Sequence, residues 1–459
     1  MMETQETVQE YVQGFVIRAR EAQAVFEEFT QEQVDQAVCA VGKAIYDRGE
    51  ELAELAVEET GMGIVEDKAV KNKSKSMAIW YKMKNEKSRG VLRHIEEKGL
   101  IEVAKPIGVI GAIGPCTNPN MTPMHNAMIA LKGGNAIVFS PHPRACKSGM
   151  LTCEYMRQAL KEVGAPENLI QCIPYPTLEI SQEVMAQCDT TLATGGPGVV
   201  RAAYASGKPA YGVGAGNVQA LIDRDVSIPN AVSLIVKGRT YDSGILCTCE
   251  QACISPEEYY DEFLDAMRSE HAFYVDGECD REALRRVIFP GGRINPAIVG
   301  QPACKIAAEA GIQVPEDTKL LLVKVTETGA DELLSQEKMA PVMAVYTYKT
   351  WKEAVDIAKE NLLNMGAGHS VVLHSNTYAH IEYAALELPV SRFSINQQGS
   401  GSLGGTFVNG LNPTGTLGCG SWGGTATTDN LWWDNLVNIS RIAYVIPYKK
   451  IPSPDEVWS

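Results

Sequence analysis

The stretch Thr240 to Ile254, TYDSGILCTCEQACI, brings Cys247, Cys249 and Cys253 close together in the chain. Metal ligation, thiol exchange and nucleophilic catalysis all use cysteine in this way, and packing is the fourth reading. A four-coordinate zinc site needs further ligands, and the next histidine downstream is His271, so no metal site is expected. Cys249 and Cys253 are four apart and share one face if the segment is helical, where they act as small buried hydrophobes. Cys247 differs because its approach, YDSGIL, is polar and glycine-broken before it turns apolar. A loop of that kind offers a thiol at the floor of a cleft, and on this stretch alone the nucleophilic and packed readings both stand.

Three other stretches carry residue types that do chemistry. GPCTNPNMTPMHN places Asn118 just after a buried-strand pattern, where its amide either points toward a reacting oxygen or caps a turn. In TLATGGPGVVRAAY an apolar strand runs through Thr194, Gly195 and Gly196 into a helix, so bare backbone amides are placed to hold a phosphate. The spacing is not GxGxxG, and a tight turn uses glycine for shape alone. The stretch from Gly401 to Asn430 holds nine glycines, and it either wraps a ligand with bare backbone or is flexible.

The elements that position these residues follow from periodicity. FTQEQVDQAVCAVGKAIYDRG sets Thr30 and Gln33 in capping-box spacing and puts Val34, Ala37, Val38, Val41 and Ile45 on one helical face, with Gly49 breaking or weakening the helix. Residues 89–104 read as short antiparallel strands forming an arm. After Pro106 strand and helix units alternate, including a helix with Met150, Cys153, Met156 and Leu160 inward, which means a parallel sheet covered by helices. A second set begins near Ser233, and the tail VNISRIAYVIPYKK reads as strands that pair with the arm. The expected α/β organisation is a nucleotide-binding unit over 1–232, a thiol-bearing unit over 233–432 and C-terminal strands over 433–459.

A chain of 459 residues, 45% hydrophobic, buries more than one core. Its net charge of -15 and pI near 5.1 speak against nucleic-acid and anionic-membrane partners. No apolar run is long enough for a membrane span, and the start MMETQETVQEYVQG is too polar and acidic for a signal peptide, so a cytoplasmic location is expected. Twelve cysteines scattered from Cys39 to Cys419 are expected to be reduced.

Taken in order, EETGMG, AKPIGVIGAIGPCTNP, IVFSPHPRA, ATGGPGVVRAAYASGKPAYGVGAGNVQ, GRTYDSGILCTCEQ, EKMAPV, GAGHSVVLHS and TLGCGSWGG resemble the CoA-acylating branch of the aldehyde dehydrogenase superfamily. The likeness runs from about Phe15 to the C-terminus and is greatest to CoA-dependent succinate-semialdehyde dehydrogenases and sulfoacetaldehyde dehydrogenases. It implies the aldehyde dehydrogenase fold, with a nucleotide-binding parallel-sheet domain, an α/β catalytic domain and a small β arm that joins subunits into a homodimer or homotetramer. It also implies Cys247 as nucleophile, with the Asn118 amide and the Cys247 backbone amide as oxyanion hole. Cofactor contacts are implied at Ser140, His142, Pro143, Arg144, Thr194, Gly195, Gly196, Gly214, Glu337 and Gly418, with NAD or NADP as hydride acceptor and coenzyme A as co-substrate.

Where hydrolytic relatives carry a general-base glutamate in an ELGGK-like stretch, this chain has VGAGN, and position 213 is valine, which cannot activate water. The lysine that those relatives place after the IVF strand is replaced by Ser140. Arg239, just before the cysteines, and Arg392, in LPVSRFSINQQG, are the expected grips for an anionic aldehyde such as succinate semialdehyde or sulfoacetaldehyde. Either one instead contacts CoA phosphates, Glu250 or Asp242 in the competing reading. Acetaldehyde or propionaldehyde as substrate, hydrolytic release of a free acid, and a non-enzymatic nucleotide-binding protein are the alternatives that the residues leave open.

Overall fold

Four helices, α1 (Val8–Phe26), α2 (Gln31–Asp47), α3 (Gly49–Thr60) and α4 (Val65–Met83), begin the computed structural model, which describes residues 7–459. The capping box forms as expected: Thr30 Oγ1 accepts from the Gln33 amide at 3.3 Å, and Gln33 Oε1 accepts from the Thr30 amide at 2.9 Å. Val34, Ala37, Val38, Val41 and Ile45 are all buried, and Gly49 opens the next helix. Helix α4 departs from this pattern, because its buried face includes Lys68, Lys71, Asn72 and Ser76. Burying such groups is unfavourable unless they are paired, so that face must meet polar partners.

Beyond α4 the chain makes three sheets. In the arm, β1 (Gly90–Ile95) and β2 (Leu100–Pro106) pair antiparallel. The next five strands, β3 (Val109–Ile113), β4 (Ala136–Ser140), β5 (Ile170–Cys172), β6 (Thr190–Thr194) and β7 (Ala210–Val213), form a parallel sheet of order β5-β4-β3-β6-β7. Its helices are α5 (Met121–Lys132), α6 (Cys146–Glu162), α7 (Leu178–Gln187) and α8 (Pro197–Ala205). On α6, Cys153, Met156 and Leu160 are buried as expected, but Met150 turns outward and is 40% exposed. It sits at the rim of the apolar stripe, where the periodicity does not separate inside from outside.

The second parallel sheet has the order β10-β11-β12-β9-β8-β13-β14 and comprises β8 (Val218–Ile222), β9 (Glu250–Pro256), β10 (Ala272–Val275), β11 (Leu320–Lys324), β12 (Val342–Tyr348), β13 (Val371–His374) and β14 (Phe393–Ile395). Because β8 lies between β9 and β13, the passage from one sheet to the other occurs at residues 214–217. The expected division after 232 instead falls inside α9 (Ile228–Thr240), which packs on the second sheet. Cys253 belongs to β9 and not to a helix. Ala252 and Ile254 enter one core while Cys253 enters the other, the alternation of a strand covered on both faces. Near the end of the chain β15 (Val437–Ala443) pairs antiparallel with β2, so the tail completes the arm.

Candidate active site

The thiol is positioned by a turn of unusual backbone. Directly after α9, Asp242, Ser243 and Gly244 take φ values of 51°, 53° and 69°. Left-handed conformation costs a non-glycine residue roughly 1–2 kcal/mol, so Asp242 and Ser243 need external support. Asp242 receives it from both ends: its amide donates to Asp67 Oδ2 at 2.7 Å, and its carboxylate accepts from the Ile64 amide at 2.9 Å. Lys68 Nζ at 3.0 Å and Lys71 Nζ at 2.8 Å complete the set. Burial pushes the Asp242 carboxyl up, but the two ammonium groups outweigh it and hold it below the ordinary value. Lys68 and Lys71 on the polar face of α4 thus meet this turn, while Asn72 donates to the Gly49 carbonyl at 3.2 Å and Ser76 to the Lys73 carbonyl at 2.9 Å.

Cys247 follows on the floor of a cleft of about 380 Å³ and is partly exposed there. Burial by the surrounding protein pushes its thiol up to about 12, with Glu337 and Cys419 adding to the shift and Arg392 opposing it. Cys249 and Cys253 are fully buried and line no cleft, and burial pushes their thiols up further.

Asn118 lies in the loop between β3 and α5 and lines the same cleft. Its backbone oxygen accepts from the Thr122 amide at 3.3 Å, so the main chain serves the helix start and leaves the side chain free of that task. Lys71 Nζ donates to Asn118 Oδ1.

The two sheets meet at Gly216. A Cβ there would lie 2.0 Å from the carbonyl oxygen of Cys247, so only glycine permits this passage. The Gly216 amide donates to Glu337 Oε1 at 3.2 Å, and burial pushes the Glu337 carboxyl up to about 7.

A second cleft, of about 810 Å³, opens between α8 and the passage, with Pro197, Arg201, Tyr204, Gly214 and Trp422 on its wall. Thr194 and Gly195 lead from β6 into α8, and Gly196 at its N-cap supplies no side-chain cap. A Cβ at Gly196 or Gly198 would point into open space, and Thr194 Oγ1 is buried without a partner. Uncapped amides with room before them fit the pyrophosphate of a dinucleotide.

Several expected contacts are placed elsewhere. Ser140 is fully buried and bonds Ser181 Oγ at 2.9 Å, because the last residue of β4 faces α7. His142, Pro143 and Arg144 form a short turn, with His142 Nδ1 accepting from the Arg144 amide at 3.1 Å and Arg144 Nη2 donating to the Thr60 carbonyl at 3.4 Å. They stand at the same strand end as the clefts and line neither. The Gly418 amide bonds the Asp429 carbonyl at 2.8 Å, and a Cβ there would strike Thr427 O at 2.3 Å, so its glycine serves a tight chain crossing.

Both arginines offered as substrate grips are corrected in the same way. Arg239 has no exposed surface and donates from Nη2 to the Ala340 carbonyl, because α9 points it into the protein. Arg392 is 4% exposed and gives its donors to the carbonyls of His369, Gly418 and Thr428, beside a separate polar cavity.

The cations in the Cys247 cleft are Lys71, Lys75 and Lys237, and no aspartate or glutamate lines it. Lys75 Nζ donates to the carbonyls of Gly404 at 2.9 Å and Gly405 at 2.8 Å. Burial pushes its ammonium down to about 8, with Lys71 adding to the shift. The readable signal was on α4, where Lys68, Lys71 and Lys75 follow helical spacing on one face.

A sequence profile of the aldehyde dehydrogenase family matches residues 1–280. Succinate-semialdehyde dehydrogenase (acetylating) of Clostridium kluyveri is 45% identical over 447 residues, which is 97% of this chain and 98% of the relative. Sulfoacetaldehyde dehydrogenase (acylating) of Bilophila wadsworthia is 40% identical, over 92% of this chain and 93% of its own. The crystal structure of an acetylating aldehyde dehydrogenase from Geobacillus thermoglucosidasius superposes with a TM-score of 0.94 at 37% identity, covering 99% of this chain and 100% of that one. With a thiol on one cleft, uncapped helix-start amides near a second and these relatives along nearly its whole length, the chain belongs to the aldehyde dehydrogenase family and is an oxidoreductase that groups with its acylating members.

Proposed function

We propose that the protein catalyses the NAD(P)-dependent, CoA-acylating oxidation of a short anionic aldehyde, succinate semialdehyde or sulfoacetaldehyde, to its acyl-CoA. The observation that carries this reading is the wall of the Cys247 cleft, which bears three ammonium groups and no carboxylate. Ammonium groups attract an anionic tail. No carboxylate lines that wall to serve water as a base, Glu337 is engaged by the Gly216 amide at 3.2 Å, and Val213, where hydrolytic relatives carry glutamate, is 4% exposed and apolar.

The Cys247 sulfur, once its proton has left, adds to the aldehyde carbon, and the carbonyl electrons move onto oxygen. Asn118 and the Cys247 amide receive that oxygen where its charge develops. Gly195, Gly196, Gly214 and Glu337 would hold a dinucleotide, which would supply the hydride acceptor. Collapse of the oxyanion expels the hydride and leaves a thioester on Cys247. The thiolate of CoA then attacks the acyl carbon, and Cys247 departs as the leaving group. Lys75, on the wall of the same cleft as Cys247, takes the carboxylate or sulfonate of the tail. Among the described residues no helix is long and apolar enough to cross a membrane. A cytoplasmic homodimer or homotetramer, joined through the arm, belongs to the same proposal.

A panel of aldehydes with and without CoA tests the reading. With CoA, succinate semialdehyde or sulfoacetaldehyde should exceed acetaldehyde and propionaldehyde in kcat/KM. Without CoA, NADH should stop at about one equivalent per Cys247. Sustained turnover to the free acid without CoA would reject the acylating assignment, and equal use of uncharged aldehydes would reject the anionic one.

A further inference from the structure

We infer that Lys71 is a positioning residue for the oxyanion hole, choosing which end of the Asn118 amide faces the cleft and polarising it. This rests on the reading of Asn118 as an oxyanion donor. The two ends of an asparagine amide are nearly equal in shape and opposite in chemistry. With Nδ2 toward the cleft, the amide stabilises an oxyanion; with Oδ1 toward it, the amide repels one.

An ammonium only donates, so the bond from Lys71 Nζ can be made to Oδ1 and never to Nδ2. Nδ2 then has no acceptor among the described residues and is the end left for a substrate oxygen. A cation on Oδ1 also draws electron density from the amide and makes its N–H groups stronger donors.

The lysine is itself fixed. Its Nζ bonds Asp242 Oδ2 at 2.8 Å, and Asp242 is held by the Ile64 amide and by Lys68. Lys68 reaches on to the Thr117 carbonyl at 3.3 Å, the residue before Asn118. Asp67, which accepts the Asp242 amide, is the other carboxylate of the cluster. One buried group of side chains thus fixes the loop that carries the donor and the turn that leads to the nucleophile. Lys68 and Lys71 together balance the two carboxylates, Asp242 and Asp67, and the one bond of Lys71 Nζ that lies outside this charge cluster is the one to Asn118.

The test is a double-mutant cycle of Lys71→Met and Asn118→Ala, read as single-turnover NADH formation with propionaldehyde. An uncharged aldehyde removes any contribution from a grip on the tail. Lys71→Met should slow the burst roughly 10- to 30-fold, with KM changed by less than about twofold, and should cost less than about threefold when Asn118 is already alanine. Lys71→Leu, which removes both the charge and the donor, enters the same cycle if Lys71→Met does not fold. An unchanged burst, or the same loss with and without Asn118, overturns the inference. A burst unaffected by Asn118→Ala alone instead refutes the reading of Asn118 on which it rests.

Discussion

Replacing Lys75 by methionine removes a charge from the Cys247 cleft with little change in side-chain length. Lys75 Nζ already donates to two carbonyls, Gly404 and Gly405, and has one proton left for a ligand. A charge-assisted bond to a carboxylate contributes about 1.5–3 kcal/mol. Its loss should lower kcat/KM for succinate semialdehyde by about 10- to 150-fold, while butyraldehyde, of the same chain length and uncharged, should be nearly unaffected. The uncharged aldehyde also controls for the two carbonyls left unpaired, since a damaged cleft would slow both substrates. A pH series adds a second readout. Burial holds the Lys75 ammonium at about 8, so its charge is present below that value and lost as pH rises through it. The preference of the wild type for the anionic aldehyde should be level below pH 7 and decline about tenfold per unit above pH 8. The Lys75→Met enzyme should show no such decline. Equal loss for both aldehydes, or a preference independent of pH, would remove Lys75 as the tail receptor.

Changing Cys247 to serine should abolish NADH formation, whereas Cys249→Ser, in a small core with Met62 and Ile245, should retain turnover and lower the unfolding midpoint. Turnover by the Cys247 variant would show that another thiol is the nucleophile. In the free enzyme, alkylation of Cys247 by iodoacetamide should be slow at pH 7 and accelerate toward pH 10, because burial keeps the thiol protonated. Mass mapping of the labelled peptide checks this. Burial pushes His125 down to about 4, below its value in the unfolded chain, so the unfolded state gains a proton first as pH falls through about 6.5. That lowers stability by about 2 kcal/mol at pH 5. Urea melts of the wild type and His125→Gln isolate this contribution, because the other titrating groups are common to both, and the variant should lose less stability between pH 7 and pH 5.

Helix α2 was legible because its capping box and its apolar stripe are both local, and β3 and β6 were legible as short apolar runs ahead of Asn118 and of the turn at 194–196. The division between the sheets was not. Residues 214–217 cross without a helix, so β8 reads as one more strand of the sheet it has just left. Cys253 was open to a helical reading because four-residue spacing fits a helix face, and a strand buried on both sides carries no alternation in polarity. Cys247 and Asn118 were recognisable from their motifs and do share a cleft. Arg239 and Arg392 were chosen for charge in stretches tied to the thiol, but a side chain's direction depends on which face of α9 or which loop meets the core. Lys71 and Lys75 were passed over for the converse reason. They are remote from Cys247 in the chain, and only the packing of α4 against the Asp242 turn brings them to it.

The contact at Gly216 separates two properties that an enzyme of this kind must hold apart. Its α-carbon abuts the Cys247 carbonyl and its amide holds Glu337, so the spacing between the thiol and Glu337 is set at the main chain of Gly216. In the proposed function, recognition of the aldehyde's tail falls instead to Lys75 on α4, which is held by the carbonyls of Gly404 and Gly405. On that proposal, a substitution at Lys75 that retunes which aldehyde is accepted leaves the main-chain contact at Gly216, and with it the spacing of Cys247 from Glu337, as it is.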